Sequence, residues 1–390
     1  MEDIVRFIYT YDILRPDRNA IKSIISRDRY SIVDILYDFI YPMLKNALNC
    51  EIERLFWEED SFSAPKFFQL AGLAFNCSSD WAKVYHLKEV TKEAEEYFCS
   101  FFKDSFVIGY ELSNIMMNIF NKNNIKYINF TIHPIRFLDD IFFMFNTNDE
   151  KIYNKLLKYK VDENCFCEKV GICNSYCRKN LEKLDIDDNC ALIIGQTKTD
   201  ASICKESGDF AKLTDYKNEI IKLKEKYKTL YFKPHPCEIE NNELINFMQK
   251  LGIKDINYNF YHLLSDERLK GVYALSSSCV MEAKYFNKHS EYFYKSAFNI
   301  AENNNLEFNH LKYVGIYGDY FKQMFWNNIF SDTFNTKEIK SSTNFISENK
   351  LRNLMKISWA YEIFIKKPDI TLTPVKKERK KEKWYKKLWA

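Results

Sequence analysis

Apolar and polar positions alternate between strand-like and helix-like spacing through the first half of the chain. Residues 106–108 form a short apolar run, and residues 113–121 carry apolar side chains at helical spacing. Residues 125–132 form a second strand-like run, so this segment predicts a strand, a helix and another strand. Ser113, the first residue of this stretch, is predicted to be the N-cap of the helix.

The second half of the chain repeats this alternation. Strands are predicted at the start of "CALIIGQTKTDASI", at 229–232 and in "GVYALSSS". Helices are predicted in "LTDYKNEIIKLKEKYK", in "NNELINFMQKLG", from about Cys279 and over 347–365. The pattern therefore predicts an α/β protein with two halves joined near residues 178–190.

The composition is that of a soluble globular protein. The chain has 390 residues, of which 46% are hydrophobic and 28% charged, and it is long enough for two domains. The net charge of +3 is unevenly distributed, because residues 375–390 contain eight Lys or Arg and two Glu, which is +6 and leaves −3 for the rest. This distribution excludes a globally basic nucleic-acid-binding protein.

The basic end of the chain also contains aromatic residues. In "VKKERKKEKWYKKLWA", Tyr385, Leu388 and Trp389 fall on one face of a helix among lysines. Such a helix suits the anionic surface of a membrane. Residues 374–390 are therefore predicted to be a membrane-associating amphipathic tail, and the alternative is a solvated, frayed terminus.

Neither an export signal nor a membrane span is predicted. The opening "MEDIVRFIYTYDILRPD" has acidic residues at once and no apolar core before a cleavage site. No apolar run approaches the ~18 residues of a spanning helix. Eleven cysteines without an export signal are expected to be reduced. We therefore expect a cytoplasmic protein, peripheral on the inner face of the cytoplasmic membrane.

Four of the cysteines lie close together. Cys165, Cys167, Cys173 and Cys177 have the spacing C-x-C-x5-C-x3-C, which is tighter and less regular than the paired CxxC elements of zinc sites. Reduced cysteines in a loop are favoured over a zinc site. No metal site is predicted.

A histidine between two prolines follows the predicted strand at 229–232. Proline ends a strand because it has no N–H donor and restricts the residue before it. "KPHP", residues 233–236, therefore holds His235 at the carboxyl end of a strand, where α/β proteins place ligand-contacting groups. The alternative is a structural histidine in a turn.

Two segments of the first half also place polar residues after strands. In "GYELS", Glu111 could be a general base for an acceptor hydroxyl, or it could stabilise the N-terminus of the following helix. In "IHPIRFLDD", His133 and Pro134 repeat the strand-edge arrangement. Arg136 in that segment could bind a carboxylate through two N–H donors, or it could serve a structural role at a helix start.

Two segments of the second half add nucleophilic and anion-binding groups. "QTKTD" presents Gln196, Lys198 and Asp200 after a buried strand, and Asp200 could be a nucleophile or a cap. Three serines, Ser276–Ser278, open a helix where a phosphate could bind. No GxxxxGK[ST] or GxGxxG sequence is present, and no DxD-like pair lies beside a strand.

Taken together and in this order, these motifs resemble CMP-sugar glycosyltransferases of bacterial surface polysaccharides. "KPHP" and the later serine cluster resemble the HP and Ser motifs of bacterial sialyltransferases and polysialyltransferases. "QTKTD" ahead of "KPHP" is more similar to the retaining β-Kdo transferases of capsule and O-antigen assembly. The acidic-acidic-glycine motif of the sialyltransferase relatives is not found. The resemblance covers roughly residues 105–285, and its motifs are short.

This resemblance implies a GT-B-like architecture, two Rossmann-like lobes with a cleft between them. Residues 1–180 would form the acceptor-side lobe, 181–344 the CMP-sugar-binding lobe, 345–373 a helix packing back on the lobes, and 374–390 the tail. The donor would be CMP-β-Kdo, and no cofactor or metal is implied. The acceptor would be a glycan or glycolipid, and no nucleic acid is expected as a partner.

The resemblance also implies roles for the motif residues in a double displacement through a covalent Kdo adduct. Asp200 would be the nucleophile, His235 would contact the departing phosphate or handle the adduct, and Glu111 would be the base. Substrate would be bound by the remaining motif residues. These are Arg136 for the Kdo carboxylate, Ser276, Ser277, Ser278 and Lys233 for the phosphate, and Gln196 and Lys198.

Two alternatives remain open from the sequence. The first is an inverting sialyltransferase that uses CMP-Neu5Ac and needs no nucleophile at Asp200. The second is a non-catalytic scaffold of a polysaccharide-assembly complex, recruited by the basic tail.

Overall fold

The computed structural model describes residues 6–15, 32–56, 62–75, 78–238, 242–296, 298–336 and 348–365. Within these ranges the chain forms two β-sheets with helices packed on them. The fold is mixed α/β with largely parallel sheets, as the hydrophobic pattern predicts.

Seven strands form the first sheet and five form the second. In chain order, the strands of the described residues are β1 (Arg6–Tyr11), β2 (Ile52–Arg54), β3 (Ser105–Tyr110), β4 (Lys126–Ile132), β5 (Phe143–Thr147), β6 (Cys190–Ile194), β7 (Thr229–Lys233), β8 (Lys254–Asp255), β9 (Leu269–Ala274), β10 (His289–Tyr292), β11 (Asn299–Ile300) and β12 (Lys312–Ile316).

The helices vary from one turn to almost five turns. Those of the described residues are α1 (Ile32–Leu48), α2 (Ala64–Leu70), α3 (Ala82–Tyr85), α4 (Lys92–Cys99), α5 (Asn114–Lys122), α6 (Glu150–Leu157), α7 (Asn164–Asn180), α8 (Lys217–Lys226), α9 (Asn242–Lys250), α10 (Phe260–Ser265), α11 (Ser278–Tyr285), α12 (Gln323–Phe330) and α13 (Lys350–Met355). Short 3-10 turns include Ala201–Ile203, Pro236–Glu238 and Tyr361–Phe364.

The first sheet has the strand order β11-β12-β5-β4-β3-β1-β2. Strands β1 to β4 are parallel, and β5 runs antiparallel to both β4 and β12. The interior strand β3 is buried along its whole length. Phe106 and Ile108 belong to one hydrophobic core, and Val107 belongs to a second core on the opposite face. This two-sided burial explains why β3 is apolar at successive positions rather than alternating.

The second sheet is entirely parallel, with the order β10-β9-β6-β7-β8. Its central strand β6 is fully buried. The strands and helices predicted between residues 190 and 285 are confirmed, with differences of a few residues at their ends. The predicted strand-helix-strand unit of the first half is confirmed as β3, α5 and β4.

Strands β11 and β12 join the first sheet, although they lie within residues 181–344, which were assigned to the second lobe. Val314 of β12 pairs with Phe145 of β5, and both side chains are fully buried. The next helix, α12, packs against α1. Without this pairing β5 would be an uncovered apolar edge strand, so the strand pairing does not follow the predicted division of the chain.

The four clustered cysteines lie in helix α7, so the predicted loop is wrong. Phe166, Val170, Cys173 and Cys177 are the buried residues of α7, and their helical spacing puts them on one face against the core. Cys173 and Cys177 act there as small apolar residues.

The predicted N-cap Ser113 does begin α5, but its side chain makes no capping hydrogen bond. Its hydroxyl donates instead to the carboxylate of Asp12, at 2.9 Å. The predicted start of the helix is therefore confirmed. The hydroxyl of Ser113, however, bonds to Asp12 and does not cap the helix.

The continuous helix predicted over 347–365 is wrong in extent. Among the described residues 348–365, only α13 and the 3-10 turn Tyr361–Phe364 are helical, and they are separated by Lys356, Trp359 and Ala360, all with positive φ. The predicted membrane-associating tail, residues 374–390, lies outside the described residues. None of the helices in the described ranges has both the length and the apolar character needed to cross a bilayer.

Candidate active site

The carboxyl ends of strands from both sheets meet at one cleft of about 310 Å³. Groups that follow β3 and β4 form one wall, and groups that follow β6, β7 and β9 form the other. Eight of the ten predicted site residues line it: Glu111, Arg136, Gln196, Asp200, His235, Ser276, Ser277 and Ser278. The sequence therefore predicted correctly that these strand-end residues gather at one place.

Glu111 directly follows β3 in a left-handed conformation, with φ of 51°. Its backbone N–H donates to the carbonyl of Phe130, and its Oε1 accepts from the hydroxyl of Thr131 at 3.2 Å. The side chain is exposed to the cleft, yet the surrounding walls remove much of its water. This desolvation raises the pKa of Glu111, and the nearby Asp200 raises it further, while Arg15 lowers it.

Asp200 lies across the cleft on the loop after β6. Its Oδ1 accepts a hydrogen bond from the backbone N–H of Ser202, at 2.8 Å, and caps the turn Ala201–Ile203. The cap interpretation is therefore confirmed. It is compatible with a position in the cleft wall, because a carboxylate has a second oxygen and the cap fixes the orientation of the group.

Gln196 connects this loop to the serine segment. Its Oε1 accepts from the backbone N–H of Ser276 at 2.7 Å. Its Nε2 donates to the hydroxyls of Ser202 and Ser276, at 3.2 and 3.1 Å. Both N–H donors of the amide are thus used within the protein, so Gln196 positions the loop and the serines rather than presenting free donors to a substrate.

His235 lies half-buried in the neighbouring loop, after β7, on the same wall of the cleft. Its Nδ1 accepts from the backbone N–H of Cys237, at 3.1 Å, which leaves Nε2 as the ring nitrogen available to a ligand. Burial lowers the pKa of His235, and Asp200 and Glu238 oppose that shift. The neutral ring therefore carries its proton on Nε2 and can donate it to an anion.

The close approach of the His235 backbone to the end of β6 leaves little room for a side chain at position 195. A Cβ at Gly195 would lie 3.0 Å from the backbone nitrogen of His235 and 3.2 Å from the Cα of Pro234. The "KPHP" loop therefore packs directly on the backbone at the end of β6.

The serine segment opens helix α11 at the cleft. Ser277 is the N-cap, and its Oγ accepts from the backbone N–H of Cys279 at 3.3 Å. Ser276 is buried, whereas Ser277 and Ser278 are partly exposed. Backbone N–H groups and the positive end of the helix dipole at this place favour an anion such as a phosphate.

Arg136 brings to the cleft a guanidinium that makes no direct ion pair among the described residues, although its charge opposes the rise that burial causes in the pKa of Glu282. Within the described residues no carboxylate oxygen lies within 4.0 Å of its side-chain nitrogens, and its buried Nε has no hydrogen-bond partner. Its backbone N–H donates to the buried Glu282 of α11, at 2.8 Å. The guanidinium is therefore free to bind an anionic group of a ligand.

Lys198 and Lys233 are the two predicted residues that do not line the cleft. Lys198 is exposed, and its backbone N–H donates to Glu238 at 3.2 Å. The Nζ of Lys233 donates to the carbonyl of Tyr258 at 2.8 Å. Each lysine is two positions away from a residue of the cleft, Gln196 or His235, yet neither lysine lines the cleft.

Sequence reasoning missed a polar cluster at the end of β1. Asp12 is buried, and its oxygens accept from the indole N–H of Trp81 at 2.7 Å and from Ser113. Burial raises the pKa of Asp12 to about 6. The guanidinium of Arg15 lies 4.5 Å from the centroid of the Trp81 ring and lines the cleft. Glu111 was found because polar residues after a strand are candidate site residues, and the same criterion would have found Asp12 and Arg15 after β1. Trp81 does not follow a strand and could not have been found in this way.

His133, the other histidine of a His-Pro pair, is not in the cleft. It is buried and stacks on Phe142 with ring centroids 4.2 Å apart, and its Nδ1 accepts from the backbone N–H of Ile135. Burial lowers the pKa of His133 to about 3, so the ring is neutral. The two His-Pro pairs therefore differ in role despite their similar sequence context.

The arrangement combines five chemical functions in one cleft. Two carboxylates, Glu111 and Asp200, come from opposite sheets. A helix N-terminus with serines, a guanidinium without a carboxylate partner and a neutral imidazole surround them. Such a set can hold an anionic substrate and supply both a nucleophile and a base. Within the described residues no three His, Cys, Asp or Glu side chains converge as a metal site would require.

Comparison with known proteins gives a distant likeness only. No family model matches the chain, and no curated protein matches it. Among solved structures, the chain is similar to the β-Kdo 2,7-transferase KpsC of Thermosulfurimonas dismutans, at 14% identity and a TM-score of 0.35. The match covers 73% of this chain and 77% of that one. At this distance the roles of the cleft residues rest on their own geometry.

Proposed function

We propose that the chain is a retaining glycosyltransferase that transfers Kdo from CMP-β-Kdo to a bacterial surface glycan or glycolipid. The observation that carries this proposal is the convergence of Asp200, Glu111 and the serine-led end of α11 on one cleft. The motif resemblance supplies the identity of the donor. In this proposal the two sheets correspond to the two lobes of a GT-B enzyme.

The first chemical step forms the adduct. A carboxylate oxygen of Asp200 attacks the anomeric carbon of Kdo while the bond from that carbon to the phosphate oxygen breaks. The electron pair of that bond leaves with CMP. Serine hydroxyls and free N–H groups at the start of α11 stabilise the phosphate charge, and His235 donates from Nε2. Fixed donors of this kind assist departure of the phosphate without a change in their own positions.

The second step transfers Kdo to the acceptor. An acceptor hydroxyl attacks the anomeric carbon, Glu111 takes the proton of that hydroxyl, and the carboxylate of Asp200 leaves. Two inversions at the same carbon give net retention. Arg136 binds the Kdo carboxylate through both steps, and this ion pair orients the anomeric carbon towards Asp200.

The proposal extends to the location of the enzyme. The basic tail, residues 374–390, would hold the protein at the anionic inner face of the cytoplasmic membrane. A glycolipid acceptor would then lie in the membrane to which the enzyme is bound.

Donor choice and product configuration test the proposal. CMP release is measured with CMP-Kdo generated in situ and with CMP-Neu5Ac, in buffer containing dilute methanol as a small acceptor. We expect CMP release from CMP-Kdo alone, and methyl β-Kdo as the product identified by NMR. An α-configured product would contradict retention, and consumption of CMP-Neu5Ac would indicate a sialyltransferase. If CMP were released from neither donor, the result would favour the non-catalytic scaffold.

A further inference from the structure

The cleft wall includes a tryptophan from the C-terminal segment that the catalytic scheme does not use. Trp359 lies more than 200 residues after Arg136 in the chain, yet its ring covers the guanidinium of Arg136. The Cζ atom of Arg136 is 3.9 Å from the centroid of the Trp359 ring. A guanidinium held over a ring at this distance is attracted by the ring face, and its N–H donors remain available to other groups.

The backbone at Trp359 is strained. Trp359 and Ala360 have φ of 44° and 71°, two consecutive non-glycine residues in the left-handed region. Such conformations persist only where the surrounding structure enforces them, and they concentrate at functional sites. The need to connect two segments of the chain does not by itself explain this strained backbone at Trp359 and Ala360.

Contacts on both sides hold this turn in place. Asn259 donates from Nδ2 to the carbonyl of Ala360 at 2.8 Å, and the backbone N–H of Tyr361 donates to the carbonyl of Ser358 at 3.0 Å. Ser358 also donates from its hydroxyl to Glu362 at 2.8 Å. The turn is thus attached to the second half of the chain.

Arg352 attaches the same segment to the loop that carries Arg136. Its side chain is buried, and it donates to the carbonyls of Leu138, at 2.9 Å, and of Arg136. Its guanidinium stacks on Tyr361, 3.7 Å from the ring centroid. Asp140 accepts from the backbone N–H groups of residues 351 and 352. The C-terminal segment and the Arg136 loop therefore form one connected unit.

We propose that Trp359 is a positioning residue that holds the guanidinium of Arg136 ready for the carboxylate of the donor sugar. The indole occupies one face of the guanidinium and excludes water from it, so the edge donors stay directed at the cleft. The strained turn is the structural means of placing the indole there. This inference rests on the proposed function, because it assigns the ligand of Arg136 within that reaction.

A set of substitutions separates positioning from general packing. Trp359→Phe keeps an aromatic ring next to the guanidinium. Trp359→Leu keeps an apolar side chain there but removes the aromatic ring. Leu354→Ala, at an exposed position of α13 in the same segment, is the matched control. KM and kcat are measured for CMP release from CMP-Kdo, together with the unfolding midpoint of each variant.

We expect Trp359→Leu to raise KM for CMP-Kdo about tenfold while kcat changes about threefold or less. Trp359→Phe should stay within about twofold of wild type, as should Leu354→Ala. Arg136→Gln should raise KM by about a hundredfold, and adding Trp359→Leu to it should cause no further loss, because both changes remove the same interaction.

Two results would overturn the inference. The first is an unchanged KM in Trp359→Leu at a wild-type unfolding midpoint. The second is a double variant whose losses multiply, which would mean that Trp359 acts independently of Arg136. Wild-type protein that releases no CMP from CMP-Kdo would instead overturn the proposed function and this inference with it, so the two failures are distinguishable.

Discussion

Glu111 occupies a left-handed backbone position at the end of β3, where its strain aims a carboxylate into the cleft. A non-glycine residue in this region costs about 1–3 kcal/mol, which is tolerated where it serves a site. Desolvation by the cleft walls raises the pKa of this carboxylate, which brings it closer to the range of a useful base at neutral pH.

Replacing Glu111 should separate the two chemical steps. We expect Glu111→Gln to lower the rate of transfer to an acceptor by about 10²–10⁴-fold, because the base is lost, while adduct formation continues. The measurement is product formation alongside the mass of the intact enzyme. Glu225→Gln, on the exposed surface of α8, should match wild type. Loss of the adduct in Glu111→Gln would contradict the assignment of Glu111 to the second step.

The same carboxylate should set the acidic side of the pH profile. Glu111 acts as a base only when deprotonated, and its pKa is raised in the folded protein. Transfer should therefore be present above that raised pKa and lost as the pH falls through it, at a value above the ~4.3 of a free glutamate. A profile of kcat against pH that falls only below ~4.3 would contradict this expectation.

His133 should make the fold sensitive to acid. Its pKa is lowered by burial to about 3, whereas an unfolded histidine titrates near ~6.5. Above ~6.5 His133 is neutral in both the folded and the unfolded protein. Between ~6.5 and about 3 only the unfolded protein takes up the proton, so the free energy of unfolding decreases as the pH is lowered. The contribution is up to about 1.4 kcal/mol per pH unit.

Denaturant unfolding across this range tests the effect of His133. His133→Asn keeps an acceptor for the backbone N–H of Ile135 and removes the titration, so its free energy of unfolding should depend less steeply on pH than that of wild type. Equal slopes in His133→Asn and wild type would show that another group dominates.

At the scale of elements, the sequence predicted the parts of the cleft that lie directly after strands. β3, β6, β7 and residues 272–274 of β9 are apolar at successive positions because both of their faces are buried, so they stand out in the sequence. The residues that follow them, such as Glu111 and His235, were located by that rule. Helix α7 was missed because its cysteines resembled a loop cluster more than the buried face of a helix.

The packing of the "KPHP" loop on the end of β6 gives a prediction at this scale. In Gly195→Ala the new Cβ would meet backbone atoms of His235 and Pro234, which cannot move independently. We expect a stability loss of about 1–3 kcal/mol from the overpacking. We also expect a fall in CMP release of about tenfold or more, because His235 is displaced.

Glycine at position 171 provides the control for this substitution. Nothing lies within 4 Å of a Cβ built at Gly171 in helix α7. Gly171→Ala should therefore leave CMP release unchanged and raise stability by up to about 1 kcal/mol. If Gly195→Ala behaved in the same way, the close approach of the two segments would not matter for the site.

At the scale of the whole molecule, the two halves of the chain are not independent in their pairing. Strand β12 joins the first sheet beside β5, and Phe325, Trp326 and Phe330 of α12 belong to the same hydrophobic core as Phe143 and Phe145 of β5. Such contacts between residues distant in sequence leave no local pattern. For the same reason, the sequence could not predict that β12 pairs with β5 or that Trp359 lies over Arg136.

This topology predicts that residues 1–180 do not fold alone. Without β12 and α12, the buried side chains of Phe143 and Phe145 in β5 would be uncovered. We expect this fragment to lack a cooperative unfolding transition by circular dichroism and to bind an apolar dye, in contrast to the full chain. A sharp transition in the fragment would show that the first half is an autonomous domain.

The central claim is that Asp200 forms a covalent bond to the donor sugar, and the mass of the intact protein tests it most directly. Wild type, Asp200→Asn and Glu111→Gln are each incubated with CMP-Kdo generated in situ. Asp200→Asn can still accept the hydrogen bond from Ser202, so its loop should remain folded. We predict a gain of one Kdo residue on wild type and Glu111→Gln and none on Asp200→Asn. An adduct that persists in Asp200→Asn, or that never forms while CMP is released, would contradict the mechanism.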